Sequence, residues 1–188
     1  MQISFATEAD VPALLNIYRQ YLETPITFEC AVPSEAEFAA RVCEISAVYP
    51  YLVCRDGGEV VGYAYAHRQA ERAAYQWNAE LSIYLDPAHT GRGLGKRLYA
   101  ALLELLRRQG IRTVYARVTI PNEKSEALHW AMGFRHMGTQ KNAGYKDGAW
   151  RDVAWFEKAI GIYDDPEPLR SIHDVPPESA AGVLTENM

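Results

Sequence analysis

The segment Thr90-Gly91-Arg92-Gly93-Leu94-Gly95-Lys96 lies between a strand pattern and a helix pattern. Upstream, residues 80–85 read as a strand stopped by Asp86-Pro87. Downstream, Leu94, Leu98, Leu102 and Leu105 recur on one helical face until Gly110, a natural C-cap. Glycines in such a loop let backbone N–H groups approach a ligand, and the helix N-terminus behind them adds partial positive charge. The result is an anion site, reinforced by Arg92, Lys96 and Arg97. Two phosphate-binding motifs are excluded by single residues. A Walker A loop needs Ser or Thr after the lysine and a glycine six positions before it, where this chain has Arg97 and Thr90. A dinucleotide fingerprint needs a third glycine where Lys96 stands. By itself the loop also fits a glycine-rich turn with a solvated basic face.

Working outward, short apolar runs alternate with helical patterns, which predicts an α/β (α+β) domain with a mixed sheet and helices packed on it. A strand over residues 2–6 precedes a helix from about Asp10, and Ser34 with Glu37 forms a capping box for a second helix. Residues 51–55 and 60–67 flank Asp56-Gly57-Gly58-Glu59, a hairpin turn. Residues 113–119 are β-branched and apolar, Pro121-Asn122 opens a helix ending near Gly133, and two last strands bracket Lys146-Asp147-Gly148. The predicted order is β-α-α-β-β-β-α-β-α-β-β.

The 188 residues suit one domain over residues 1–159 followed by an acidic, proline-bearing extension over 160–188. Of 24 acids and 19 bases, that extension holds six and one, so the body is balanced at eighteen of each and the net charge of −5 belongs to the extension. Four of ten prolines also lie there, with little apolar periodicity, so the extension is expected to be dispensable for turnover. A body without basic excess argues against nucleic-acid binding, which draws on phosphate neutralisation. No apolar run reaches membrane-spanning length, and the N-terminus carries no secretory pattern, so a cytoplasmic protein is expected. Cys30, Cys43 and Cys54 form no CxxC pair, and the histidines have no ligand spacing, so no metal site is expected.

The loop Thr90-Gly91-Arg92-Gly93-Leu94-Gly95 resembles the pyrophosphate loop of the GNAT superfamily of acetyl-CoA-dependent N-acetyltransferases, Q/R-x-x-G-x-G/A, with Thr90 departing at the first position. Within that superfamily the chain is similar to the phosphinothricin and methionine-sulfoximine acetyltransferases. The similarity runs through Ile26-Thr27-Phe28, Arg72-Ala73-Ala74-Tyr75, Trp77-Asn78-Ala79-Glu80-Leu81-Ser82-Ile83-Tyr84, Pro121-Asn122 with Ser125 and His129, and Gly148-Ala149-Trp150-Arg151-Asp152-Val153. It covers about residues 1–158. It implies the GNAT fold, a central sheet of about seven strands flanked by about four helices. It also implies acetyl-CoA as co-substrate, a small-molecule amine acceptor and a homodimer.

Acetyl transfer to an amine needs a neutral amine, and the resemblance assigns the general base to Glu80, directly or through water. A strand glutamate in a salt bridge is the ordinary alternative. The resemblance has backbone N–H groups among Ile83, Tyr84 and Leu85 polarise the thioester, with Arg92, Gly93, Leu94, Gly95 and Lys96 at the pyrophosphate. Asn122 reads as a helix N-cap and, by resemblance, as a pantetheine contact, with Lys124 and Ser125 on the first turn beside it. His129 lies two turns after Asn122 and is either a packing residue or an active-site one. Arg72 is the candidate for an acceptor carboxylate, because guanidinium binds carboxylate bidentately, with Tyr75 and Phe28 as aromatic walls. A catalytically degenerate acyl-CoA-binding module remains an alternative. So does an acetyltransferase acting on a protein N-terminus or another amine.

Overall fold

A computed structural model describes residues 1–186. Strands β1 (Gln2–Phe5), β2 (Tyr51–Asp56), β3 (Glu59–Arg68), β4 (Asn78–Leu85), β5 (Thr113–Ile120), β6 (Arg135–Lys146) and β7 (Ala149–Ala159) alternate with helices α1 (Val11–Leu22), α2 (Glu35–Ser46), α3 (Leu94–Gln109) and α4 (Glu123–Ala131). A last helix, α5 (Pro177–Glu186), closes the described chain. The strands form one 7-stranded sheet in the order β1-β2-β3-β4-β5-β7-β6. Every neighbouring pair is antiparallel except β4 and β5, which run parallel. From β1 to β7 this is the mixed sheet and the element order that the patterning predicts, and α5 is an addition to it.

Side-chain alternation divides the sheet into two faces. Ala79 and Leu81 of β4 join the larger core with Leu94, Leu98, Leu102 and Leu105 of α3, and Ile83 and Leu85 pack against it. Tyr84 packs instead with Leu14, Leu15 and Tyr18 of α1 and Phe38 of α2. Both helix starts read from caps form as expected. The Ser34 hydroxyl accepts from the Glu37 N–H at 3.2 Å while the Glu37 carboxylate accepts from the Ser34 N–H at 2.8 Å. Gly110 adopts φ 102°, the left-handed cap that ends α3.

The extension packs on the same core as the body. Ile172, Val175, Ala180 and Val183 are all buried in the larger cluster. Gln109 Nε2 donates to the carbonyls of Val48 and Arg170 at 2.8 and 2.9 Å, and Arg112 pairs with Asp164 at 3.0 Å. The helix is hard to read in sequence because Pro176-Pro177 resembles a break. A proline in the first turn costs no hydrogen bond, and Ala180, Val183 and Leu184 then recur at helical spacing. Among the described residues no helix is long and apolar enough to cross a membrane.

Candidate active site

The site opens where two parallel strands part. Register between β4 and β5 holds for only three pairs, Asn78 with Thr113, Ala79 with Val114 and Glu80 with Tyr115. Beyond Glu80 each strand stays paired on its outer side, β4 with β3 and β5 with β7. Their facing edges diverge into a cleft. Residues 81–84 line one wall, residues 116–119 the other, and Asn122, Ser125 and His129 of α4 contribute from the side. Backbone polar groups on the parted edges have lost their ladder partners, as a site that hydrogen-bonds an extended ligand requires. Of the three β4 residues expected to act through their backbone, Ile83 and Tyr84 line the cleft. Leu85 closes the strand, its carbonyl accepting the Tyr21 hydroxyl.

The glycine loop follows the open end of β4. Gly91 and Gly93 have φ 78° and 79°, a backbone that side-chain-bearing residues rarely adopt. Gly93 is the N-cap of α3, and no side chain caps that helix, in contrast to Ser34 at α2 and Asn122 at α4. The first-turn N–H groups of α3 are therefore left for an anion. Gly95 has a separate duty, since a Cβ there would meet Leu128 Cδ2 at 3.1 Å, so it sets the approach of α3 to α4. Arg92 pairs with Asp56 of the β2–β3 turn at 2.9 Å, while Lys96 and Lys124 are exposed.

Glu80 sits at the apex of the divergence and is only 6% exposed. Its Oε1 accepts from Arg117 Nε of β5 at 2.6 Å and lies 3.8 Å from His67 Nε2. The salt-bridge and cleft readings of this glutamate thus hold together. Arg117, itself stacked over Trp155, and His67 were not singled out from sequence, because each acts through a neighbouring strand rather than through spacing in its own.

His129 is buried, and burial pulls its pKa below the usual imidazole value. Its Nδ1 faces the Ser125 carbonyl at 2.7 Å, and a carbonyl only accepts, so Nδ1 carries the hydrogen. Nε2 then accepts from the Tyr99 hydroxyl at 3.2 Å. Tyr99 lines the cleft, and burial raises its pKa, keeping the phenol protonated. In sequence Tyr99 is one more apolar residue on a leucine-rich helix, so nothing there distinguishes it. Asn122 is an N-cap as read, its Oδ1 accepting from the Ser125 N–H at 3.3 Å. Its Nδ2 makes no hydrogen bond among the described residues and remains available in the cleft.

Arg72 and Tyr75 line a second, open pocket on the β3–β4 connection rather than the cleft with Glu80. Arg72 is exposed and makes no ion pair among the described residues. Phe28 lies over Gly144 of β6, and it is Ile26, two residues earlier, that reaches the cleft. Among the described residues no three His, Cys, Asp or Glu side chains cluster as a metal site would require.

Residues 3–155 match the family model for the acetyltransferase (GNAT) domain, and the chain belongs to the GNAT acetyltransferase family. Among its relatives, the phosphinothricin N-acetyltransferase of Streptomyces viridochromogenes is 34% identical over 176 residues, covering 93% of this chain and 96% of that protein. The L-methionine sulfoximine/L-methionine sulfone acetyltransferase of Salmonella typhimurium is 29% identical over 169 residues, covering 89% and 99%. The crystal structure of a GNAT superfamily phosphinothricin acetyltransferase from Sinorhizobium meliloti in complex with AcCoA has a TM-score of 0.84 to this fold. It is 36% identical and covers 94% of this chain and 95% of that one. With 93% of the chain aligned to the Streptomyces protein, similarity runs past Ala159 into the extension, further than the motifs reach.

Proposed function

We propose that this protein is an acetyl-CoA-dependent N-acetyltransferase whose acceptor is the amine of a small amino-acid analogue of the phosphinothricin or methionine sulfoximine type. The observation that carries the reading is the placement of Glu80. It is a buried carboxylate at the apex of a cleft that leads along β4 to an uncapped helix N-terminus. The loop residues 91–96 would hold the pyrophosphate, and Asn122 with Ser125 would flank the pantetheine arm. Polarisation of the thioester falls to N–H groups on the parted edge of β4, where negative charge develops on oxygen. Glu80 takes the amine proton, and Arg117 holds its carboxylate in place. The Tyr99 hydroxyl lines the same cleft with its hydrogen on His129 Nε2, so the CoA sulfur leaves as the thiolate and takes its proton from solvent.

Arg72 lies on a pocket separate from the cleft and does not itself support the acceptor class. The names of the Streptomyces and Salmonella relatives support that class. The reading includes a cytoplasmic homodimer that needs no metal. The test is thiol release from acetyl-CoA with methionine sulfoximine, phosphinothricin, methionine sulfone, amino acids and a peptide with a free N-terminus. Release with the first three supports the proposal. Release with the peptide alone favours the protein N-terminus as acceptor, and acetyl-CoA binding without release favours the non-catalytic module.

A further inference from the structure

The segment over residues 24–28 belongs to no helix or strand, yet it supplies Ile26 to the cleft. Two contacts to α1 hold it on one side, the Thr24 hydroxyl donating to the Tyr21 carbonyl at 2.7 Å and Thr27 Oγ1 meeting the Tyr18 hydroxyl at 2.9 Å, and a further anchor comes from a distant strand. Lys146, the last residue of β6, is only 4% exposed, and its ammonium donates to the carbonyls of Thr24 at 2.8 Å and Thr27 at 2.7 Å. Phe28 then lies on Gly144, where a Cβ would fall 2.5 Å from its ring. The geometry of β6 explains how a lysine comes to point inward. Register with β7 slips between Gln140 and Gly144, and Asp152 pins the bulge by accepting from Lys141 Nζ at 2.8 Å and the Asn142 N–H at 2.9 Å. A bulge turns the following side chains. Here Tyr145 faces solvent while Lys146 is buried. Burying an ammonium is costly unless it is hydrogen-bonded, and two carbonyls meet that need only while the segment keeps its present path.

We propose that Lys146 and Gly144 are positioning residues of the acceptor pocket: they seat the segment over residues 24–28 on the β6–β7 hairpin and so fix the wall that Ile26 presents beside Glu80. The seat makes this wall a rigid specificity element for the acceptor side chain and leaves the acetyl-CoA end of the cleft untouched. The assignment to the acceptor rests on the acetyltransferase reading above.

The test combines steady-state kinetics with acetyl-CoA and methionine sulfoximine and hydrogen exchange at the amides of residues 24–29. Lys146→Met keeps the length of the side chain and removes its donors. It is expected to raise the KM for methionine sulfoximine ~10-fold, with kcat and the KM for acetyl-CoA changed less than ~2-fold. Exchange should quicken in residues 24–29 alone. Gly144→Ala displaces only the part-exposed Phe28 ring, so it keeps the fold and should show the same split even where Lys146→Met does not fold. Equal rises in both KM values, or unchanged exchange, would overturn the proposal. If the wild type releases no thiol with any acceptor, the acetyltransferase reading falls, and the exchange measurement still decides whether Lys146 holds the segment.

Discussion

Replacing Glu80 with glutamine removes a negative charge and little else, because the amide oxygen can still accept from Arg117 Nε, now at 2.6 Å. General-base catalysis by a positioned side chain contributes ~10²–10⁴-fold. The lower end applies here, since the carboxylate that would take the proton already shares its charge with the guanidinium. A fall in kcat of ~10²-fold is expected, about 2.7 kcal/mol of transition-state stabilisation. The KM for acetyl-CoA should stay level. Five residues of extended strand separate Glu80 from Leu85, about 16 Å at ~3.3 Å per residue, and the loop lies beyond. That exceeds the screening length of ~8 Å at physiological salt, so the lost charge is not felt at the pyrophosphate site. The deficit should also shrink at alkaline pH, because the neutral fraction of the acceptor amine grows without help from a base. The assay is thiol release over about pH 6 to 9, wild type against Glu80→Gln. Equal kcat values throughout would refute the assignment and leave Glu80 as a structural partner of Arg117.

Three further outcomes follow from the geometry. Arg92→Ala should raise the KM for acetyl-CoA several-fold at constant kcat, and Asp56→Asn, which frees Arg92 from its 2.9 Å ion pair, should not raise it. An unchanged KM in Arg92→Ala means that the loop holds its anion through backbone alone. Ile172→Ala, in the extension but buried against the core, should cost about 2 kcal/mol. In a protein of this size that lowers Tm by ~4–8 °C, and an unchanged Tm would show that the extension does not dock in solution. Glu104 has its pKa lowered to about 2, chiefly by hydrogen bonding to Arg107; burial opposes this, and hydrogen bonding to Arg108 lowers it further. A depressed carboxylate stabilises the fold above its unfolded pKa, and the contribution is lost as pH falls from the ordinary glutamate value of 4.5 towards 2. Glu104→Gln should therefore lower stability at neutral pH by about 1 kcal/mol, after allowance for solvent screening. The difference from wild type should vanish under strong acid, as measured by denaturant titration at several pH values.

The dispensability expected of the extension rested on composition, and its packing gives a narrower expectation. The cleft is lined by residues of the body, while Ile172, Val175 and Val183 contribute to the core beneath α3. Truncation is expected to act through stability, without a selective effect on kcat.

Periodicity, caps and turn residues are local properties, and they were enough to determine the order of elements from β1 to β7, the capping box at Ser34, the end of α3 at Gly110 and the glycine loop, though not α5. Their energetics depend on neighbours three or four residues away, which is why one chain suffices to read them. Asn122 was legible as a helix N-cap for the same local reason, whereas Glu80 and His129 stood out only through the family resemblance. The partners that give these residues their chemistry were not legible. Arg117 reaches Glu80 from β5, Tyr99 reaches His129 from α3, and Lys146 reaches Thr24 and Thr27 across more than a hundred residues. Strand divergence after Glu80 is likewise invisible in either strand, because it is a property of their register. Tertiary structure decided these features because a side chain's proton affinity and aim depend on what burial and long-range pairing bring within a few ångströms of it, and those neighbours are not its neighbours in the chain.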